Sequence, residues 1–238
     1  MKRSKSSKGR QEIMMSICSN VLRIREGIAS ACAKAGRPEQ DVSLVAVSKS
    51  RTAEEINEVV SAGVLDIGES YAQELMGKIG HINSEARMHF IGRLQSNKAR
   101  QVVGRAVLLQ SVDRLSLAQE ISRLAQARDL VQPILLQVGF GEASKGGVSF
   151  AQTNELACQI AALPAVKLIG LMSIPPISAD ISRLISGFER LYHQFVDIMH
   201  RKYDNTDIHV LSMGMSSDYR EAIACGSTMI RVGTALFG

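Results

Sequence analysis

Short apolar runs alternate along the chain with amphipathic stretches. The first run is VSLVAVSK, from Val42 to Lys49, and its near-continuous apolar character predicts a strand buried on both faces. The stretch TAEEINEVVSAG follows it; Thr52 and Glu55 form a capping-box pattern there, and Gly63 supplies a helix stop. The same strand–helix pattern recurs to the C-terminus, giving eight repeats in all. The later predicted strands are VLDIGES, MHFIG, AVLLQSVD, VQPILLQV, VKLIGLMSI, IHVLSMG and TMIRVGTALFG.

Alternation of strands and helices at this spacing predicts right-handed crossovers and a parallel sheet. Eight consecutive units favour closure into a single (β/α)8 TIM-type barrel. An extra helix is predicted from Gln11 to Ala35, with Gly36 as its stop. No GxGxxG follows the first strand, which argues against a dinucleotide-binding sheet. We therefore expect one α/β barrel domain over residues 11–238, including the N-terminal helix.

Composition and charge narrow the class of protein. The chain of 238 residues is 45% hydrophobic and 21% charged, which is typical of a globular protein. Its net charge of +5 arises from MKRSKSSKGR, with five basic residues and no acid, so residues 1–10 are predicted to form a disordered basic tail. The four cysteines show no metal-ligand spacing and suit a reducing compartment. We expect a cytoplasmic monomer or weak homodimer that has no nucleic-acid or membrane partner and binds no metal.

Lys49 is the first candidate for chemistry. It ends an apolar strand, and an ammonium group is almost never fully buried without a partner. One interpretation is that Lys49 merely reaches solvent where the strand leaves the core. The other is that it lies at the C-terminal mouth of the barrel, where proteins of this fold keep their active groups.

The loops after the seventh and eighth predicted strands suggest a phosphate site. SMGMSS offers the hydroxyls of Ser212, Ser216 and Ser217, and RVGT adds Gly233 and Thr234. Barrels of this class often bind phosphate in these two loops, where backbone amides favour an anion. Glycine and serine are also routine turn residues, so each loop alone is a weak indication.

A primary amine across the mouth from a phosphate site is what a pyridoxal phosphate (PLP) Schiff base requires. Strand one is adjacent to strand eight in a closed barrel, which would bring Lys49 near that site. Arg231, two residues before Gly233, is placed to approach the pyridine nitrogen, although a salt bridge at the rim is an equally ordinary role. A charged arginine there would keep the ring unprotonated and limit the cofactor as an electron sink.

Several motifs resemble the pyridoxal phosphate homeostasis protein family, which is similar to the N-terminal barrel of alanine racemases but stands alone. They are VAVSK, IGESYAQEL, HFIGRLQSNK, SVDR, GEASKGG, GLMSIPP, LSMGMSSDYREAI and GSTMIRVGTALFG. The resemblance covers residues 42–238 and implies that Lys49 is the Schiff-base lysine and Arg231 the partner of the pyridine nitrogen. It also implies that Ser212, Met213, Ser216, Gly233 and Thr234 surround the phosphate and that Ser70 and His89 lie near the ring. The family usually has asparagine where this chain has Ser70, and a hydroxyl has a shorter reach than an amide.

Two functions of different class are consistent with these residues. One is a carrier that holds PLP, serves intracellular PLP homeostasis and delivers the cofactor to PLP-dependent apoenzymes, with no catalytic residue of its own. The other is a PLP-dependent amino-acid racemase or decarboxylase. Racemisation needs acid and base groups on both faces of the substrate's Cα, and alanine racemases take the second group from an additional β-domain and a partner subunit. This chain ends with the eighth strand, so we expect the carrier.

Overall fold

Eight parallel strands close into a barrel in the order β1 to β8, with β8 pairing back onto β1. The structure is a computed structural model that describes residues 4–140, 146–176, 180–201 and 203–238, with side chains from residue 16 onward. The predicted (β/α)8 barrel is confirmed. Among the described helices, none has both the length and the apolar character needed to span a bilayer.

The strands correspond to the eight predicted apolar runs. They are β1 Ser43–Val47, β2 Asp66–Glu69, β3 Arg87–Phe90, β4 Leu108–Val112, β5 Gln132–Gln137, β6 Val166–Met172, β7 Thr206–Ser212 and β8 Met229–Val232. The helices are α1 Ser4–Lys34, α2 Ala53–Ser61, α3 Ala72–Lys78, α4 Ala99–Val102, α5 Leu115–Gln126, α6 Thr153–Ala161, α7 Ile181–Arg201, α8 Tyr219–Ala224 and α9 Thr234–Phe237.

Local signals place α2 where the sequence predicts it. The Thr52 hydroxyl accepts from the Glu55 amide at 3.2 Å, and the Glu55 carboxylate accepts from the Thr52 amide at 2.8 Å. This reciprocal capping box satisfies two amides that the first turn of a helix leaves unpaired. Gly63 follows the helix with φ of 86°, a left-handed conformation that favours glycine.

The protein has two hydrophobic layers. The larger layer lies between the sheet and the surrounding helices and includes Ile67, Leu109 and Ile230. The smaller layer fills part of the barrel interior with residues from six strands, which are Val45, Leu108, Leu135, Met172, Val210 and Met229. The alternation of Leu108 inward and Leu109 outward follows the two-residue period of a strand. Polar side chains fill the rest of the interior, and they lead towards the C-terminal mouth.

The two ends of the chain differ from the predicted boundaries. Helix α1 begins at Ser4, seven residues before the predicted start at Gln11, so it runs on through most of the expected tail. The division into a tail and a domain stays a prediction, and residues 1–3 lie outside the described residues. TMIRVGTALFG is not one strand: β8 ends at Val232 and one helical turn, α9, begins at Thr234. Gly233 separates them with φ of −117° and ψ of −82°, which neither a strand nor a helix uses.

Helix α1 packs against α9, the final helical turn, and holds it on the barrel. Its apolar face buries Ile17, Val21 and Ile24 in the outer core. The Asn20 side-chain amide donates to the Leu236 carbonyl at 3.0 Å. The extra N-terminal helix thus supports α9, whose first residues belong to the candidate phosphate site.

Candidate functional site

Lys49 lies two residues beyond β1, at the C-terminal mouth of the barrel. Its side chain is exposed and forms no hydrogen bond or ion pair with the described residues. Its neighbours are held in place: Ser48 is fully buried and donates to Glu69 Oε2 at 3.1 Å, and the Ser50 amide donates to Glu74 Oε2 at 2.9 Å. Ser50 has φ of 60°, a strained value for a residue with a side chain. The loop therefore presents a free amine from a fixed backbone.

A second lysine, Lys78, holds the backbone of the Lys49 loop in place. Lys78, on α3, donates from Nζ to Glu69 Oε2 at 2.6 Å, to Glu74 Oε2 at 2.7 Å and to the Ser48 carbonyl at 2.9 Å. These three acceptors match the three N–H groups of an ammonium. Glu69 is fully buried and needs such a charge partner. The hydrogen bond from Lys78 lowers the pKa of Glu74 below its usual value, and the Ser50 amide lowers it further.

The loops after β7 and β8 meet around Ser216. Its Oγ is the acceptor for the amides of Gly233 at 3.3 Å and Ala235 at 3.4 Å. The hydroxyl of Thr234 is exposed beside these amides and has no hydrogen-bond partner among the described residues. Backbone N–H groups and hydroxyls that converge in this way make a site for an anion. We call Ser216, Gly233, Thr234 and Ala235 the anion cradle.

The cradle lies next to the Lys49 loop. Register pairs Ala46 of β1 with Val232 of β8, so the residues that follow each strand emerge side by side. A Cβ added to Gly233 would lie 3.3 Å from Val47 Cβ. A side chain at this position would therefore press on Val47 of β1.

Asp218 holds the loop that carries Ser216. One carboxylate oxygen accepts from the Met215 amide at 2.7 Å, and the other accepts from the Ser217 hydroxyl at 3.1 Å. Asp218 is buried, so its contacts are shielded from water and fix the loop firmly. Sequence reasoning assigned Asp218 no role, and an aspartate that follows two serines just before a helix gives only an ordinary turn signal.

Arg231 is a buried cation on β8. It is 4% exposed, and it donates to Ser212 Oγ at 2.6 Å and to the Ser173 carbonyl at 2.7 Å. Burial lowers its pKa to about 10, and the charge of Asp218 opposes that shift. Arg231 therefore stays charged at neutral pH, because its pKa lies well above 7. Two of its five side-chain N–H groups have partners among the described residues.

His89 lies inside the barrel and has a partner on each ring nitrogen. Nε2 is 3.0 Å from Asp66 Oδ1, and Nδ1 is 3.0 Å from Gln110 Nε2. Burial alone would raise the pKa of Asp66, but hydrogen bonds from His89 and Arg87 outweigh it and hold that pKa below its usual value. His89 is 4% exposed, so it is a fixed interior group rather than an open one at the mouth.

The two remaining predicted site residues have different environments. Ser70 is half-buried at the end of β2, and its amide donates to Glu69 Oε1 at 2.7 Å. Its backbone packs so closely on Gly92 that a Cβ there would lie 2.0 Å from the Ser70 carbonyl oxygen. Met213 is fully buried and its side chain packs in the outer core. Met213 can therefore contribute only its backbone at the mouth.

The structure thus brings together Arg231 with Ser212, and Ser216 with Gly233 and Thr234, beside Lys49. Sequence reasoning missed Lys78 and Gln110. The Glu74–Lys78 spacing of four residues predicts a helical ion pair, but not its contact with Glu69. Gln110 is a single polar residue within the apolar run of β4, which indicates an interior partner without identifying it.

Comparison with known proteins agrees with the architecture. The alanine racemase N-terminal domain family matches residues 20–238. A pyridoxal phosphate homeostasis protein of Aquifex aeolicus is 39% identical over 226 residues, covering 94% of this chain and 98% of that protein. One from Escherichia coli K12 is 38% identical over 230 residues, covering 94% and 97%.

A solved structure has the same fold and a related sequence. PipY from Synechococcus elongatus, with PLP bound, is 33% identical and superposes with a TM-score of 0.78, covering 89% of this chain and all of PipY. With such identities over nearly its whole length, this chain belongs to the pyridoxal phosphate homeostasis protein family, within the wider family of alanine racemase N-terminal domains.

Proposed function

We propose that this protein binds PLP as a Schiff base on Lys49 and serves intracellular PLP homeostasis without turning over amino acids itself. The observation that carries the proposal is the position, beside the anion cradle, of an exposed amine that has no partner among the described residues. Lys49 follows β1, and Gly233 and Thr234 follow β8, which pairs with β1. The PLP-bound structure of PipY supports the same ligand.

The described residues fit each reactive part of PLP. The Lys49 amine suits the aldehyde, since an imine forms between them with the release of one water. The hydroxyls of Ser216 and Thr234 suit the phosphate, and the amides of Gly233 and Ala235, whose bonds to Ser216 Oγ are long at 3.3 and 3.4 Å, would turn to it. Arg231 has three N–H groups left for the pyridine nitrogen and cannot give up its proton to it at neutral pH.

Arg231 also supports a role without catalysis. PLP chemistry at Cα relies on the ring as an electron sink, which a protonated pyridine nitrogen strengthens. A charged arginine disfavours that proton. His89 is buried and has a partner on both ring nitrogens, which disfavours it as an acid or base for a substrate. We infer that PLP-dependent apoenzymes are the recipients of the cofactor.

Absorbance of the purified protein with added PLP tests this function. We expect an absorbance band at about 420 nm that sodium borohydride removes, as is usual for a PLP Schiff base. The loaded protein should restore activity to an added PLP-dependent apoenzyme and should not racemise or decarboxylate alanine, lysine, arginine or ornithine. Steady turnover of one amino acid that is lost in Lys49→Ala would make the protein an enzyme and contradict the carrier role.

A further inference from the structure

A continuous hydrogen-bonded chain crosses the barrel interior from the mouth towards the opposite end. Arg231 donates to Ser212 Oγ at 2.6 Å, and the Ser212 hydroxyl donates to Gln110 Oε1 at 2.7 Å. Gln110 Nε2 then meets His89 Nδ1 at 3.0 Å, and His89 Nε2 meets Asp66 Oδ1 at 3.0 Å. We call these five residues the interior chain. It joins β8, β7, β4, β3 and β2.

With the Gln110 amide oxygen facing Ser212 and its nitrogen facing His89, the direction of every bond follows from the two ends of the interior chain. A guanidinium only donates, and an ionised carboxylate only accepts. The Gln110 amide nitrogen also only donates, so Nδ1 of His89 accepts and its proton is on Nε2, facing Asp66. All donors therefore point from Arg231 towards Asp66.

Four of the five members of the interior chain are buried, so an unsatisfied hydrogen-bonding group there costs free energy. Gln110 and Ser212 are fully buried, and His89 is 4% exposed. A partly satisfied polar chain in such surroundings leaves donors or acceptors without water to replace the lost partner.

We propose that Gln110, backed by His89 and Asp66, is a positioning residue for PLP: it orients the Ser212 hydroxyl and thereby holds Arg231 against the pyridine ring. This inference rests on the proposed function. Gln110 acts through Ser212 and needs no contact with the cofactor. The ligand class it serves is a pyridine whose nitrogen accepts a hydrogen bond, so its effect belongs to the ring and not to the phosphate.

The test compares Gln110→Met with a matched control, Gln132→Leu. Methionine keeps the length of glutamine but lacks both amide groups, so the variant cuts the interior chain. Gln132 is equally buried, and its amide bonds to the Ala106 carbonyl and the Gly104 amide without touching the interior chain. The quantities to measure are the dissociation constants of PLP and of pyridoxal, and the absorbance maximum of the bound cofactor.

We expect Gln110→Met to weaken PLP and pyridoxal by the same factor, about fivefold, and to shift the absorbance maximum. Gln132→Leu should lower the unfolding temperature without changing the maximum or the ratio of the two dissociation constants. An unchanged spectrum and unchanged affinities in folded Gln110→Met would overturn the positioning role.

If Gln110→Met does not fold, Ser212→Ala removes one oxygen and cuts the chain at its next link. It should again weaken PLP and pyridoxal equally and shift the maximum, and a loss confined to PLP would contradict the inference. Failure of the proposed function itself gives a different result, because the wild-type protein would then show no borohydride-sensitive band.

Discussion

Lys49 and Arg231 are two cations at the same end of the barrel, carried by adjacent strands, with opposite surroundings. Arg231 is buried, and Ser212 and Ser173 hold it by hydrogen bonds. Lys49 is exposed and has no partner among the described residues, although the backbone on either side of it is fastened. Arg231 keeps its charge because its pKa of about 10 stays well above 7 despite burial, and the exposed Lys49 amine is open to an incoming aldehyde. Arg231 is thus a fixed charge, whereas Lys49 is the amine that we propose reacts with PLP.

The largest effect should come from removing the reactive amine. Lys49→Ala should abolish the borohydride-sensitive absorbance and leave the fold intact, because the exposed side chain fills no core volume. Lys98→Ala, a lysine at the same end of the barrel, is the matched control and should keep the band. Retention of the band in Lys49→Ala would contradict the assignment. Lys145, which lies outside the described residues, is the substitute that a double variant would expose.

A change at Arg231 tests the other half of the comparison, the buried charge that we propose faces the pyridine nitrogen. Arg231→Glu removes a charged donor from the ring and supplies a carboxylate that favours a protonated pyridine nitrogen. We expect PLP affinity to fall roughly tenfold to a hundredfold, because a hydrogen bond to a charged group contributes about 1.5–3 kcal/mol. The absorbance of the bound cofactor should shift towards the pyridinium form. Arg231→Gln, which adds no charge, is the control for burial of the carboxylate, and its spectrum should shift less.

The anion cradle should distinguish the phosphate from the ring. Ser216→Ala and Thr234→Ala should each weaken PLP by about tenfold and leave pyridoxal nearly unaffected, because only the phosphate loses a charge-assisted bond. Paired titrations with PLP and pyridoxal measure this ratio. Equal losses for both ligands would locate the phosphate elsewhere.

The smallest effect on the cofactor should come from Lys78, a half-buried lysine whose three N–H groups all have acceptors. Lys78→Met leaves Glu69 buried without its cation, which should destabilise the fold by about 3 kcal/mol. PLP binding should weaken by roughly threefold to tenfold, the cost of ordering one long side chain on binding. The double variant Lys78→Met with Glu69→Gln should recover much of the stability, measured by urea unfolding. No recovery would mean that the ion pair does not carry the effect.

The sequence could predict contacts between residues that lie close together along the chain, but not contacts between residues that lie far apart in it. The capping box of Thr52 and Glu55 and the stop at Gly63 are local, and both are confirmed. The barrel follows from eight repeats of a short pattern. The prediction that TMIRVGTALFG forms one strand was wrong, because its apolar residues suit either a strand or a helix. Only the backbone conformation at Gly233 separates β8 from α9.

The same distinction applies to the residues of the candidate site. Lys49 and the cradle could be predicted because they follow strand ends that a barrel brings together. The roles of Gln110 and Asp218 depend on partners on other strands or on side-chain direction. Gln110 bonds to Ser212 across 102 positions of sequence, and no local pattern encodes such a pair.

Mapping the cofactor's covalent attachment tests the central claim most directly. The wild-type protein would be loaded with PLP, reduced with borohydride and digested, and the modified peptide identified by mass spectrometry. We predict that the reduced cofactor is attached to the Lys49 side chain. Attachment to Lys78, Lys98 or another lysine in place of Lys49, or no attachment at all, would contradict the account.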